Sequence, residues 1–136
     1  MSGLATLARL RKEGLDAQRR SLADLERRHA QLVAERAAID IDEAREAALA
    51  RADPSWALTL PAWASALRGR RSRLDAALAA ASGEIAAARD RVSEAWRELK
   101  RIEQAIHLRA ERAATAARRA EQMALDEIAL TLHRRK

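Results

Sequence analysis

The stretch Asp53-Pro-Ser-Trp-Ala-Leu-Thr-Leu-Pro-Ala-Trp63 decides the fold of this 136-residue chain. It contains both prolines of the sequence, Pro54 and Pro61, and the residues on either side carry helical patterns almost without interruption. Because proline lacks a backbone N–H and disfavours helix in the residue before it, Pro54 predicts the end of a first helix. Pro61 lies where proline is tolerated, in the opening turn of a second helix. The stretch therefore predicts one elbow between two long helices.

The composition is typical of a coiled coil rather than of a globular core. Charged residues make up 34% of the chain and aromatic residues 2%, with no Phe and no Tyr, so the large side chains that usually fill a core are scarce. The absence of Cys excludes disulfides and thiolate metal sites. No apolar run has membrane-spanning length and no signal peptide is recognisable, so we expect a cytoplasmic protein without membrane insertion.

Both helical stretches carry a seven-residue repeat, the pattern of a coiled coil. In the first, the repeat positions are Leu15, Leu22, His29 and Arg36, and Gln18, Leu25, Leu32 and Ile39. In the second, they are Leu78, Ile85, Val92, Leu99, Ile106, Ala113 and Ala120, and Ala81, Ala88, Ala95, Ile102, Arg109, Ala116 and Met123. The polar residues on the first stripe are of the kind that sets register or leaves room for another partner.

These patterns predict a single all-α domain over residues 1–136: a long antiparallel two-helix coiled coil, or α-helical hairpin. We place helix one at about 4–52, the elbow at 53–61 and helix two at about 62–134. Folding back at the elbow brings residue 4 near residue 110, so the last part of helix two overhangs without a partner. An isolated helix is marginal in water, and the alanines there bury little area, so we expect this overhang to need a partner.

The net charge of +6 is concentrated at the two chain ends, with +3 in residues 1–30 and +3 in residues 107–136. In a hairpin these ends meet and form one basic pole. Clusters such as Arg118-Arg119 raise the question of nucleic-acid binding. They lack interleaved aromatics and a groove-reading motif, and acidic residues intersperse them, so the sequence does not favour nucleic acid.

No catalytic constellation or cofactor motif is present in the sequence, and we expect no enzymatic activity and no small-molecule substrate. Glu103, His107 and Glu111 fall on one helical face. We interpret them as a solvated face rather than a metal site, because no fourth ligand accompanies them.

Trp56 and Trp63 cannot both be buried in a two-helix core at an elbow. One of them is expected to close the open end of the hairpin, and the other to anchor a partner, since Trp is a common hot-spot residue at interfaces. The sequence leaves open which tryptophan has which role.

The layout of a shorter first helix, a polar elbow and a longer second helix resembles the FliJ family, the coiled-coil stalk proteins of flagellar type III export. The resemblance is carried by Trp63-Ala-Ser-Ala-Leu67 at the start of helix two, Trp96-Arg-Glu-Leu-Lys100 in its middle and Asp126-Glu127-Ile-Ala129 near its end. The lack of Phe and Tyr and the Ala/Arg bias depart from that family's better-known members.

The resemblance implies a non-enzymatic stalk that associates with the hexameric export ATPase, with the export-gate membrane protein and with substrate chaperones. On this basis the partner-contacting residues are expected to be Trp56, Trp63, Leu67, Arg118, Arg119, Asp126 and Glu127. A self-associating cytoplasmic coiled-coil scaffold is the alternative interpretation, and a basic nucleic-acid-associated protein is the third.

Overall fold

The computed structural model describes residues 3–135, which are 97% helical and contain no strand. Three helices follow one another: α1 (Gly3–Ala52), the short α2 (Pro54–Ala57) and α3 (Leu60–Arg134). α1 and α3 pack against each other as an antiparallel two-helix coiled coil, which confirms the predicted fold class. Both prolines lie at helix starts, Pro54 as the first residue of α2 and Pro61 as the second residue of α3.

The chain divides into two compact units, each built from both long helices. One unit comprises Asp16–Glu94 and includes the elbow; we call it the elbow unit. The other comprises Met1–Leu15 with Ala95–Lys136; we call it the terminal unit. The assignment of one domain to residues 1–136 remains a prediction.

The core of the elbow unit is a narrow stripe between α1 and α3. Its buried cluster consists of Leu32, Ile39, Leu67, Leu74 and Ala81, and Trp63, Ala77 and Leu78 pack against it. Ile85 and Ala88 are buried further along α3. The alanines of the stripe bury little apolar area, but they allow two helices to approach closely. The seven-residue stripe continues toward the elbow through Leu67 and Leu74, which the sequence analysis did not include in the repeat.

Ion pairs on the flanks of this core fix how α1 and α3 are aligned. Arg36 Nε donates to Asp75 Oδ1 at 2.8 Å, and Arg71 Nη2 donates to Asp40 Oδ1 at 3.2 Å. The α1 partner moves four residues forward as the α3 partner moves four residues back, which is the antiparallel register. Arg71 also donates to Glu43. The hydrogen bond that Arg36 donates to Asp75 raises the pKa of Arg36, and the one that Arg71 donates to Glu43 raises the pKa of Arg71.

His29 lies on the stripe of α1 and is half-buried. Its Nε2 lies 3.5 Å from the uncharged hydroxyl oxygen of Ser82 on α3.

The terminal unit pairs the start of α1 with the middle of α3. Leu15 and Leu99 are buried, and Ile102 and Ile106 are half-buried. Arg11 Nε lies 3.6 Å from Glu98 Oε2 across the two helices. Beyond Ile106 the helix continues to Arg134, and every residue described there is exposed except the half-buried Thr115. We call residues 107–135 the overhang.

Candidate partner-binding surfaces

The elbow is a short capped helix rather than a flexible loop. Asp53 caps α2: its Oδ1 accepts hydrogen bonds from the Ser55 backbone N–H at 3.0 Å and from Ser55 Oγ at 2.8 Å. These bonds stabilise the charged carboxylate, so they lower the pKa of Asp53, with the backbone bond as the larger cause. The Trp56 carbonyl accepts from Thr59 N at 3.2 Å and from Thr59 Oγ1 at 3.1 Å, which closes the turn before α3.

The two elbow tryptophans have different surroundings. Trp63 is half-buried and packs against the core cluster of the elbow unit. Trp56 is 45% exposed, and the neighbouring Leu58 is 86% exposed. The tryptophans line a small cleft of about 130 Å³ together with Glu46, Thr59 and Leu60. Trp63 therefore closes the end of the core, and Trp56 with Leu58 forms an exposed apolar tip.

Leu67 is buried, although the sequence analysis predicted that it contacts a partner. It is only 8% exposed and belongs to the buried cluster between α1 and α3. A partner would have to displace α1 to reach this side chain, so the burial of Leu67 favours a role in the core over the predicted partner contact.

The overhang is a helix that packs against no other described part of the chain, and its surface is rich in apolar side chains. Six of its large apolar side chains are between 41% and 71% exposed: Leu108, Met123, Leu125, Ile128, Leu130 and Leu132. Monomeric proteins rarely expose contiguous apolar surface of this kind without a function for it. The overhang is therefore the larger of the two candidate surfaces.

The four charged residues that the sequence analysis singled out all lie on the overhang and are exposed. Arg118 Nη2 donates to Thr115 Oγ1 at 3.2 Å, and Asp126 Oδ1 accepts from Gln122 Nε2 at 3.0 Å. The Glu127 carboxylate and the Arg119 guanidinium form no hydrogen bond and no ion pair within the described part of the chain. All four charges are therefore available to an oppositely charged partner.

Trp96 is a third exposed aromatic residue, and the sequence analysis did not treat it as a contact residue. It is 47% exposed, and Lys100 Nζ lies 5.6 Å from the centre of its ring, within the range of a cation–π contact. The sequence contains the spacing that indicates this contact, because Trp96 and Lys100 are four residues apart and therefore lie on one face of a helix.

The acidic and histidine side chains of the described residues form no metal-holding group. Across residues 3–135, no three His, Cys, Asp or Glu side chains are grouped so as to hold a metal ion. His107 Nε2 lies 3.1 Å from Glu111 Oε1. Within the same residues, neither long helix has an apolar stretch able to cross a bilayer. Exposed apolar side chains flanked by unpaired charges are instead the features of a surface that binds protein.

The model of the protein family described as "Flagellar FliJ protein" matches residues 1–136, the whole chain. The chain belongs to the FliJ family. This membership confirms the resemblance found in the sequence and implies a role in the flagellar export apparatus. FliJ proteins are non-enzymatic components of that apparatus. Comparison with curated proteins and with solved structures found no match.

Proposed function

We propose that the chain is a stalk and adaptor that couples the export ATPase ring to the export gate and handles substrate chaperones. It would act in the cytoplasm, at the cytoplasmic face of the inner membrane, where it is held by the export apparatus. The observation that carries the proposal is the overhang. A helix end with six exposed large apolar side chains is marginal alone and is stabilised by insertion into a partner.

The hexameric ATPase is the partner that we assign to the overhang. The terminal unit contains both chain ends. Its two segments, residues 1–15 and 95–136, carry net charges of +2 and +4 in the sequence. A basic, apolar helix end suits a ring with an acidic, partly apolar entrance, since such complementarity both steers the encounter and fixes the orientation.

The export-gate protein is the partner that we assign to the elbow. Trp56 and Leu58 are the exposed apolar side chains there, and the Asp53 cap and the Thr59 turn hold the backbone beneath them in place. A large aromatic side chain on a rigid support is a favourable binding anchor because little conformational entropy is lost on binding.

The test is co-purification of two variants with the export ATPase and with the cytoplasmic part of the gate protein, where each variant is expected to lose a different partner. Deletion of residues 111–136 should abolish capture of the ATPase and leave capture of the gate protein intact. Trp56→Ala should do the reverse. Circular dichroism must show that both variants keep their helices, which is expected because the deleted residues and Trp56 lie outside the buried core.

Two results would contradict the assignment. If the deletion variant still binds and stimulates the ATPase, the overhang is not the ring-binding end. If neither variant loses either partner, the stalk proposal itself is wrong, and a self-associating scaffold becomes the better interpretation.

A further inference from the structure

The stripe of α3 that packs on α1 does not stop where α3 extends past the first residues of α1. In the terminal unit it steps by four and three residues through Ala95, Leu99, Ile102 and Ile106. After Arg109 the same steps continue through Ala113, Ala116, Ala120, Met123, Glu127 and Leu130, all of which are exposed. The overhang thus carries one half of a coiled-coil interface without the second helix.

We propose that the second helix is the same segment of another copy of this chain, paired antiparallel over residues 112–133. The first half of the stripe has small residues and the second half has larger ones. An antiparallel arrangement places Ala113 opposite Leu130 and Ala120 opposite Met123, so each large side chain meets a small one. The segment is therefore complementary in size to itself.

The charges that flank the stripe are complementary in the same register. One row of the stripe contains Ala113, Ala120, Glu127 and Arg134, at intervals of seven. The residue directly before each of these flanks the stripe; in order, these residues are Arg112, Arg119, Asp126 and His133. Flanking positions of this type face each other in an antiparallel pair and decide orientation and partner. The register above places Arg119 opposite Asp126, and the two-fold symmetry repeats this pair. Arg119 has no ion pair or hydrogen bond within residues 3–135, so it is available for this contact.

The same charges exclude the neighbouring registers. A slip of one heptad in one direction would place Arg119 opposite Arg119 of the second copy, and a slip in the other direction would place Asp126 opposite Asp126. Like charges in direct opposition destabilise a pair. Beyond the paired span, Arg109 would face Arg134, which limits the pairing to about 112–133.

Two features indicate that the dimer is weak and reversible. Ala113, Ala116 and Ala120 bury little apolar area. Glu127 faces Ala116 on the stripe, and a polar residue at such a position lowers stability while it favours one register. The dimer would cover Met123 and Leu130 but not the other four exposed large apolar side chains of the overhang, which stay accessible to another partner.

The experiment is sedimentation equilibrium on the full chain, with charge-reversed variants alone and mixed. Arg119→Glu alone and Asp126→Arg alone should each weaken the homodimer by about tenfold, because both symmetric pairs become repulsive. An equimolar mixture of the two variants should form a heterodimer about as stable as the original, since every pair is attractive again. The double variant R119E/D126R should likewise restore the homodimer.

Arg118→Glu is the matched control. Arg118 is one position further from the stripe than Arg119 and carries the same charge, so its reversal should leave the dimer unchanged. Circular dichroism confirms folding, and every substituted residue is exposed. A wild-type chain that stays monomeric at hundreds of micromolar would overturn the proposal. So would a mixture that dimerises no better than its components, or equal effects of Arg118→Glu and Arg119→Glu. The test involves this chain alone, so its outcome is separate from that of the ATPase experiment.

Discussion

Ile39 and Ile41 are the same residue type two positions apart on α1, yet the side chain of Ile39 is 1% exposed and that of Ile41 is 60% exposed. Ile39 lies in the cluster between α1 and α3, and Ile41 points away from it. This contrast follows from the helical period, because two residues correspond to about 200° around the axis. It offers a test of the packing in which the residue type is held constant.

We expect Ile39→Asp to lower the free energy of unfolding by about 4 kcal/mol, because it places an unpaired carboxylate in an apolar contact. Ile41→Asp should change it by no more than about 0.5 kcal/mol, as substitutions on an exposed face usually do. Urea denaturation followed by circular dichroism at 222 nm measures both values. Equal losses in the two variants would show that the assigned stripe is wrong.

The sequence predicted the middle of this stripe in α3 but not its end near the elbow. The repeat was recognised from Leu78 and Ala81 onward, where intervals of seven are regular. Leu67 and Leu74 continue it toward the elbow and are buried. The row also includes Leu60, which lies next to Pro61, and the resemblance assigned Leu67 to partner contact. Burial depends on what α1 places opposite, which spacing within α3 alone does not specify.

The roles of the elbow tryptophans also needed the three-dimensional structure. Trp63 lies four residues before the buried Leu67 and therefore on the same helical face, a spacing that the sequence contains. Trp56 lies in α2, whose direction depends on the Asp53 cap and on the turn at Thr59. The cross-helix pair of Arg36 with Asp75 was likewise missed, because the register between the helices depends on how many residues the elbow contains.

Acid should weaken the cap at Asp53. Its pKa is lowered in the folded chain, so the unfolded chain binds the proton more readily. The stabilisation by the charged cap is present above the ordinary pKa of Asp and is lost as the pH falls through the lowered value. Asp53→Asn keeps a capping oxygen without the charge. The variant should therefore lack this contribution at every pH, so the advantage of the wild type in melting temperature should be present at neutral pH and disappear as the pH falls below the ordinary pKa of Asp.

The comparison is made as a difference between wild type and Asp53→Asn at each pH, because other carboxylates titrate in both proteins. Asp53→Ala is the control for loss of the cap itself and should cost about 1 kcal/mol at neutral pH. If the difference between wild type and Asp53→Asn does not change with pH, the charge of Asp53 has no role in holding the elbow.

The two tryptophans should separate stability from binding. Trp63→Ala removes a side chain that packs on the core cluster, and we expect a loss of about 2 kcal/mol in the free energy of unfolding. Trp56 is about half exposed, so Trp56→Ala should cost less than about 1 kcal/mol. Urea denaturation gives both values. A larger loss for Trp56→Ala would make it the residue that closes the core.

The salt dependence of ATPase binding should reveal whether Arg118 faces the ring. Arg118 is exposed, and within residues 3–135 its side chain forms one hydrogen bond, to Thr115, and no ion pair. If it meets an acidic entrance, Arg118→Glu should weaken binding by about tenfold at low ionic strength and by much less near 0.5 M salt, because screening suppresses the electrostatic part. Arg70→Glu makes the same charge change on the elbow unit and should have little effect. Because Arg118→Glu is expected to leave the proposed homodimer unchanged, sedimentation equilibrium on the same variant separates a loss of ATPase binding from a change in self-association. Equal losses for the two variants would mean that the ATPase responds to net charge alone, and the polarity assigned to the stalk would then have no electrostatic support.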